Sequence, residues 1–159
     1  MAPPRQSFEL SGRIAAHYAS SAFAANFRWQ HDGQRDAFEL ASPFGQTLAR
    51  LTGDDSGVEL ATADGRIERA AGWAALTERG LGWPLPVSGL AFWVQGAPRE
   101  GAPFALDLDE NREPSLLRQD GWTIAYQAFA STPDGARRPA RMTLSYADVE
   151  LRLVIDSSQ

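Results

Sequence analysis

Hydrophobic and polar residues alternate along most of the chain, as they do in strands that bury one face. The first alternating run extends from Phe8 to Tyr18 and the second from Phe23 to Gln30. The Gly-containing segment 31–34, between the second run and the next run at 38–40, is typical of an antiparallel hairpin turn. Gly12 falls on the inward side of the first run, where it relieves crowding or allows a bend. Further runs lie at 38–40, 48–51, 58–62, 104–108, 122–128, 142–146 and 149–155.

Two short helices are predicted in the middle of the chain, where the alternation stops. Residues 70–79 are rich in helix formers, and Gly80 fits a C-terminal stop. Ser88 can cap a second helix that continues through Gln95 and ends at Gly96. About ten short strands with one helical insertion predict an all-β barrel or strongly curved sheet whose helices cover the mouth.

The composition is that of one globular domain. The chain has 159 residues, 43% of them hydrophobic and 22% charged, and a chain of this length supports one core. We therefore predict a single domain over residues 1–159, with residues 1–7 as a disordered tail. The 15 basic residues are scattered among 20 acidic ones, which argues against a nucleic-acid groove. The close pair Arg137 and Arg138 is expected in a solvated turn.

No residue pattern in the sequence indicates catalysis. The chain has no Cys, and His17 and His31 have no partners at metal-ligand spacing. The serines, such as Ser88, lie outside any G-x-S-x-G motif. The acidic run 107–110 is better interpreted as a solvated loop than as an acid–base pair. We therefore expect no enzyme activity, no metal and no cofactor.

The turn at 41–47 contains a bulky residue that the turn does not need. Pro43 and Gly45 are turn formers, whereas Phe44 contributes nothing to the turn. Two interpretations are open: Phe44 folds back against the core, or it is an exposed tip that enters a partner or a lipid interface. A similar choice applies to the inward aromatic residues, which either fill the core or line a cavity.

An ordered series of segments between Phe8 and Asp156 resembles the LolB family, the outer-membrane lipoprotein receptors of Gram-negative bacteria. No single segment is decisive, but their order and spacing together are specific. The segments are Gly12-Arg13-Ile14-Ala15, Phe27-Arg28-Trp29-Gln30, Phe38-Glu39-Leu40-Ala41-Ser42-Pro43-Phe44-Gly45-Gln46-Thr47, Gly82-Trp83-Pro84-Leu85-Pro86, Gly89-Leu90, Trp93-Val94-Gln95-Gly96, Gly121-Trp122-Thr123-Ile124-Ala125-Tyr126, Arg138-Pro139-Ala140 and Leu151-Arg152-Leu153-Val154-Ile155-Asp156.

The resemblance implies an open, incomplete antiparallel β-barrel of about ten to eleven strands with a helical lid over a hydrophobic cavity. It implies a receptor that accepts triacylated lipoproteins from the periplasmic carrier LolA and inserts them into the inner leaflet of the outer membrane. Its insertion loop is Pro43, Phe44 and Gly45, with Phe44 at the place of an exposed apolar residue that is Leu in the best-known members. The expected partners are lipoprotein acyl chains, LolA and the outer-membrane phospholipid surface, and the expected state is a monomer.

The inward positions of the strands and helices are candidates for the wall of the acyl-chain cavity. They are Ile14, Phe27, Trp29, Phe38, Leu40, Leu76, Leu90, Trp93, Trp122, Ile124 and Tyr126. Family members are anchored at the periplasmic face of the outer membrane through an acylated N-terminal Cys. Because this sequence has no Cys, we expect a soluble form of a natively lipid-anchored protein, with a lipobox Cys in the upstream reading frame.

Two alternatives to the receptor are open at this point. A LolA-like soluble carrier would share the fold and the cavity but would shuttle its cargo. A cell-envelope interaction module would instead have a fully packed barrel that binds no lipid, and Phe44 would dock a protein.

Overall fold

A single antiparallel sheet of eleven strands dominates the computed structural model, which describes residues 4–158. The strands are β1 (Phe8–Tyr18), β2 (Ser21–His31), β3 (Asp36–Ala41), β4 (Thr47–Asp54), β5 (Gly57–Thr62), β6 (Ile67–Ala70), β7 (Phe104–Leu108), β8 (Pro114–Gln119), β9 (Trp122–Ser131), β10 (Arg137–Tyr146) and β11 (Val149–Ser158). The helices α1 (Trp73–Leu81) and α2 (Val87–Trp93) lie between β6 and β7.

The order of the strands makes the sheet an open barrel. The order is β6-β5-β4-β3-β2-β1-β11-β10-β9-β8-β7, so the first and last strands of the chain are neighbours at the centre. Among the described strands no pairing joins β6 to β7, and the sheet is therefore not closed. The predicted fold class, an open antiparallel barrel with a small helical insertion, is confirmed.

The hydrophobic core lies on the concave face of this sheet. Alternate residues of β1, β2 and β9 are buried, as the sequence predicts, and they join one apolar cluster with the inner sides of both helices. The residues Ile14, Trp29 and Ile124 are examples, each almost fully buried. Burial of this apolar surface is the main force that holds the helices against the sheet.

The helix boundaries differ from the predicted ones because tertiary contacts override local propensity. Ala70, at the predicted start of the first helix, is instead the last residue of β6 (Ile67–Ala70), and α1 begins at Trp73. Gly80 lies inside α1, where a Cβ would approach Leu60 Cδ2 to 1.8 Å, so a glycine is needed for close packing. The helix ends at Gly82, whose φ of +92° suits a C-cap glycine. The predicted cap at Ser88 is wrong, because Pro86 precedes the first turn of α2.

The segment before β1 lies against the residues that follow α2 and against the end of β11. Residues 1–3 of the predicted disordered tail fall outside the described residues, whereas Arg5 makes several hydrogen bonds. Its backbone N–H donates to Gln95 Oε1 at 2.6 Å, and its carbonyl accepts from Gln95 Nε2 at 3.2 Å. Its guanidinium Nη2 donates to Ser158 Oγ at 3.2 Å.

Successive hairpin turns alternate between the two ends of the antiparallel sheet. One end, here called the Phe44 end, carries the turns at 19–20, 42–46, 63–66, 120–121 and 147–148, and β7 begins there. The opposite end, here called the amino end, carries the turns at 32–35, 55–56, 109–113 and 132–136 together with the start of β1. The two ends are therefore built from separate sets of loops.

Gly12 is expected to be essential for the central strand pair, because a side chain there has no space. The register of β1 against β11 shifts between Ser11 and Gly12, and a Cβ on Gly12 would lie 1.9 Å from the carbonyl oxygen of Val154. Gly12→Ala should lower the free energy of unfolding by about 1–3 kcal/mol, as overpacking does. Urea denaturation measures this, with Ser11→Ala as a control expected to change it by less than about 0.5 kcal/mol. An equal effect of both substitutions would contradict the packing argument.

Candidate functional site: an apolar hairpin tip and a helical lid

Phe44 lies at the tip of the β3–β4 hairpin, in a turn that orders itself. The backbone N–H of Gly45 donates to the Ser42 carbonyl at 2.9 Å, and the N–H of Ser42 donates to the Gln46 carbonyl at 2.8 Å. The Ser42 hydroxyl also accepts from the backbone N–H of Gln46 at 3.2 Å. Gly45 has a φ of +86°, a conformation that favours glycine. The loop is thus held by its own backbone and the Ser42 hydroxyl, without any contribution from the Phe44 side chain.

The side chain of Phe44 is 98% exposed, more than any other large hydrophobic residue described. Apart from the chain neighbours of Gly45, no atom lies within 4 Å of a Cβ placed on that glycine, so the tip stands clear of the sheet. Of the two interpretations of Phe44, the structure agrees with the exposed tip and disagrees with a residue folded back onto the core. Pro43 and Gly45 flank it within the same turn.

The eleven residues predicted to line an acyl-chain cavity all belong to the buried apolar cluster between the sheet and the helices. They are Ile14, Phe27, Trp29, Phe38, Leu40, Leu76, Leu90, Trp93, Trp122, Ile124 and Tyr126. Several contact one another: the rings of Phe27 and Phe38 stack at 5.4 Å, and those of Trp29 and Phe38 lie 5.5 Å apart. The structure therefore brings the predicted residues together, and in this conformation they pack as a core.

Polar contacts that the sequence did not reveal fasten α2 and the segment after it to β8 and β9. The buried Gln119 accepts at Oε1 from Trp93 Nε1 at 2.9 Å and from the backbone N–H of Arg99 at 2.7 Å. Its Nε2 donates to the carbonyls of Arg99 at 2.9 Å and Ala102 at 3.2 Å. The Tyr126 hydroxyl donates to the Trp93 carbonyl at 2.7 Å, and burial raises the pKa of this phenol, so it stays protonated.

A salt bridge beside Gln119 adds to this fastening. Arg99 Nε lies 2.8 Å from Asp120 Oδ2, and Nη2 lies 2.9 Å from Oδ1, a bidentate pair. The hydrogen bonds from Arg99 hold the pKa of the Asp120 carboxyl below its usual value of 3.8. Because the folded-state pKa is lowered, the stability that this pair contributes is present above pH 3.8 and is lost as the pH falls through the lowered pKa.

The other polar residues considered in the sequence form local contacts or lie exposed, and Arg138 is buried. His31 Nδ1 lies 2.7 Å from Asp36 Oδ1, which also accepts from Trp29 Nε1 at 2.7 Å. Within residues 4–158, no group of three or more His, Asp or Glu side chains could hold a metal ion. The acidic residues of 107–110 are exposed. Arg138 is buried within β10, which corrects the expected solvated turn.

Among the described residues, neither helix has the length and apolar character that a membrane span requires.

The open eleven-stranded sheet with two helices across its concave face defines the class of fold, an open antiparallel barrel that is shared by solved structures. A solved structure from Nitrosomonas europaea, described as a LolA superfamily protein, matches with a TM-score of 0.61. The match covers 98% of this chain and 86% of that chain at 11% sequence identity, so it shows the fold alone.

The sequence comparisons identify the family within this class. The family model described as outer membrane lipoprotein LolB matches residues 6–157. The outer-membrane lipoprotein LolB of Nitrosomonas europaea is 39% identical over 153 residues, covering 96% of this chain and 72% of the relative. The protein of the same name from Thiobacillus denitrificans is 36% identical over 157 residues, covering 99% and 82%. The chain belongs to the LolB family, and the resemblance noted in the sequence is confirmed.

Membership of this family places the protein among outer-membrane lipoproteins with a role in lipoprotein localisation. The family consists of localisation receptors and is not a known enzyme family.

Proposed function

We propose that this protein accepts triacylated lipoproteins from the periplasmic carrier LolA and inserts them into the inner leaflet of the outer membrane. The observation that carries the proposal is Phe44, a large apolar side chain that is 98% exposed on an ordered hairpin turn. Because the exposed Phe44 side chain does not stabilise the fold, we expect it to function through a contact with another molecule. Membership of the LolB family supports the same function.

The acyl chains are proposed to bind between the concave face of the sheet and the two helices. That space is lined by the buried apolar cluster, and each buried methylene contributes about 0.8 kcal/mol, so ten contribute about 8 kcal/mol. Because side chains fill the space in this conformation, uptake requires that the helices move outward or that the cluster repacks. The Gln119 contacts hold the C-terminal end of α2, so the opening movement is expected at the other end of the helix pair.

Delivery is proposed to start when Phe44 enters the bilayer. Burying one Phe side chain is worth about 1.5–3 kcal/mol, enough for a transient contact but too little for permanent attachment. The acyl chains then move into a larger apolar phase, so the direction of transfer follows an affinity gradient and needs no nucleotide. The protein is proposed to act as a monomer, a state that light scattering of the purified chain measures.

A transfer assay tests this function. A radiolabelled triacylated lipoprotein loaded on LolA is mixed with the protein, and vesicles of phosphatidylethanolamine and phosphatidylglycerol are then added. The label should move first to the protein, seen by gel filtration, and then to the vesicles, seen by flotation. If the protein never takes cargo from loaded LolA, the proposed receptor function is wrong. The better interpretation is then a fully packed interaction module that binds no lipid.

The LolA-like carrier is separated from the receptor by the second step of the same assay. The similarity to a LolA superfamily structure fits either function, because it shows the fold alone. A carrier would take up the label and keep it in the presence of vesicles, whereas the receptor should release it.

A further inference from the structure

The large apolar side chains that the sheet leaves exposed are concentrated at one of its ends. Among residues 4–158 there are five of them, and four lie at the Phe44 end. These four are Phe44 (98% exposed), Ile67 (55%), Phe104 (54%) and Tyr146 (42%). Leu108, 50% exposed, lies at the amino end and is the exception.

Charged residues in the turns show the opposite distribution. The turns at the Phe44 end contain four charged residues, Asp64, Arg66, Asp120 and Asp148. The turns at the amino end contain eight, Asp32, Arg35, Asp55, Asp109, Glu110, Arg112, Glu113 and Asp134. Asp120 is moreover neutralised by its pair with Arg99. The Phe44 end therefore loses less hydration energy than the amino end when it approaches an apolar phase.

Two of the exposed side chains belong to an aromatic group at the mouth of the barrel. Phe104 opens β7 opposite Gln119, and Trp122 opens β9 opposite the same residue. The ring of Tyr146, at the end of β10, lies 5.2 Å from that of Trp122. Phe104, Trp122 and Tyr146 are here called the aromatic rim.

The aromatic rim adjoins the helices that cover the core. The buried ring of Trp122 lies 6.5 Å from the ring of Trp93 in α2. Trp93 is in turn held by Gln119, which pairs with Phe104 of β7 and with Trp122 of β9. A surface that touches the rim therefore lies close to the fastened end of α2.

We propose that the exposed members of the aromatic rim, Phe104 and Tyr146, are a second lipid-contacting surface, which rests in the headgroup region of a phospholipid bilayer while Phe44 penetrates more deeply. This inference rests on the proposed function, since it adds a contact to the delivery step. An aromatic ring with a polar edge, such as that of the exposed Tyr146, favours the boundary between headgroups and acyl chains, and the buried Trp122 supports this ring from below.

A second contact fixes the orientation of the domain on the bilayer, which the hairpin tip alone does not determine. One inserted side chain anchors the domain at a point, about which it can rotate. Phe44 belongs to one half of the sheet and the rim to the other half, across β1 and β11. Contact at both places turns the whole Phe44 end, including the mouth beside α2, toward the bilayer.

The absence of Cys from the sequence makes the test direct, because single-Cys variants can be labelled at one site. Phe44→Cys, Phe104→Cys, Tyr146→Cys and Leu108→Cys are each labelled with the environment-sensitive dye NBD and mixed with vesicles of phosphatidylethanolamine and phosphatidylglycerol. The emission at positions 44, 104 and 146 should rise and shift to the blue, and nitroxide lipids should quench it. Position 108 is the matched control, because Leu108 lies on the same strand as Phe104 with similar exposure.

The outcomes separate this inference from the proposed function. A response at position 44 without one at 104 and 146 overturns the rim and leaves membrane delivery by Phe44 intact. Equal responses at positions 104 and 108 also overturn the proposed rim contact, because both ends of the sheet would then contact lipid equally. No response at any position, with no transfer of cargo to vesicles, contradicts both. Phe104→Cys alters an edge strand and leaves the contact between the rings of Tyr146 and Trp122 in place, so the test does not depend on the folding of one variant.

Discussion

Phe44→Glu should accept a lipoprotein from LolA as the native chain does and then fail to deliver it to vesicles. The substitution leaves folding unchanged within about 0.5 kcal/mol, because the side chain is almost fully exposed. It removes an apolar contact with the bilayer worth about 1.5–3 kcal/mol and adds a charge that resists burial. The rate of delivery to vesicles should therefore fall by about tenfold to hundredfold. The two steps of the transfer assay measure acceptance and delivery separately.

The control for this prediction is Phe44→Leu, which keeps an apolar side chain of useful size at the same tip. It should deliver cargo at nearly the native rate. If Phe44→Glu loses cargo uptake instead of delivery, Phe44 acts in docking the carrier, and its role in the membrane step is wrong.

Gln119→Leu is expected to have the largest effect on the helical lid. The substitution removes all four hydrogen bonds of the buried amide and leaves groups of Trp93, Arg99 and Ala102 without their partner. Because an unsatisfied buried polar group costs about 1–3 kcal/mol, the free energy of unfolding should fall by about 2–4 kcal/mol. Backbone amides of α2 should exchange with deuterium faster, and a fluorescent fatty acid should enter more readily.

The matched control is Gln127→Leu, because Gln127 is an exposed amide on the neighbouring strand with one side-chain bond to Thr143 at 2.8 Å. Its effect on unfolding should stay below about 0.5 kcal/mol, with exchange in α2 unchanged. Native-like protection of α2 in Gln119→Leu would show that apolar packing alone holds the helix.

Alternation predicts a strand well where the strand has one buried and one solvated face. Strands β1, β2 and β9 meet this condition over residues 8–16, 25–29 and 122–126, where alternate residues are buried as predicted. β6 and β8 carry too few apolar residues in alternation to show a period. β6 has only four residues, and β8 begins with Pro114 and places Leu116 and Leu117 side by side. Both strands form because a neighbour supplies hydrogen bonds, which the sequence does not reveal.

The edge strand β7 shows a second limit of the sequence. Its alternation correctly places Phe104, Leu106 and Leu108 on one face, opposite the buried Leu117 in the case of Leu106. A period of two tells which residues share a face and not whether anything covers that face. At the edge of an open barrel no further strand follows, so Phe104 and Leu108 are half exposed.

The candidate site was predictable to different degrees. The Phe44 tip is visible in the sequence because a bulky apolar residue between Pro43 and Gly45 serves no purpose in the turn. The role of Gln119 could not be predicted, because a single amide in an unrecognised strand carries no pattern. Its partners Trp93 and Ala102 are distant in the chain and meet it only in the folded state.

The position of the amino end determines how the domain can be tethered. β1 has 11 residues, so it separates the amino end from the turns near Phe44 by about 36 Å. If a lipid anchor precedes Pro4, as expected from the resemblance, it is joined to the end that faces away from the proposed bilayer contact of Phe44. About ten to twelve extended linker residues are then needed for both to reach one membrane. The length of the linker between the anchor and β1 therefore determines whether the Phe44 end can reach the membrane that holds the anchor.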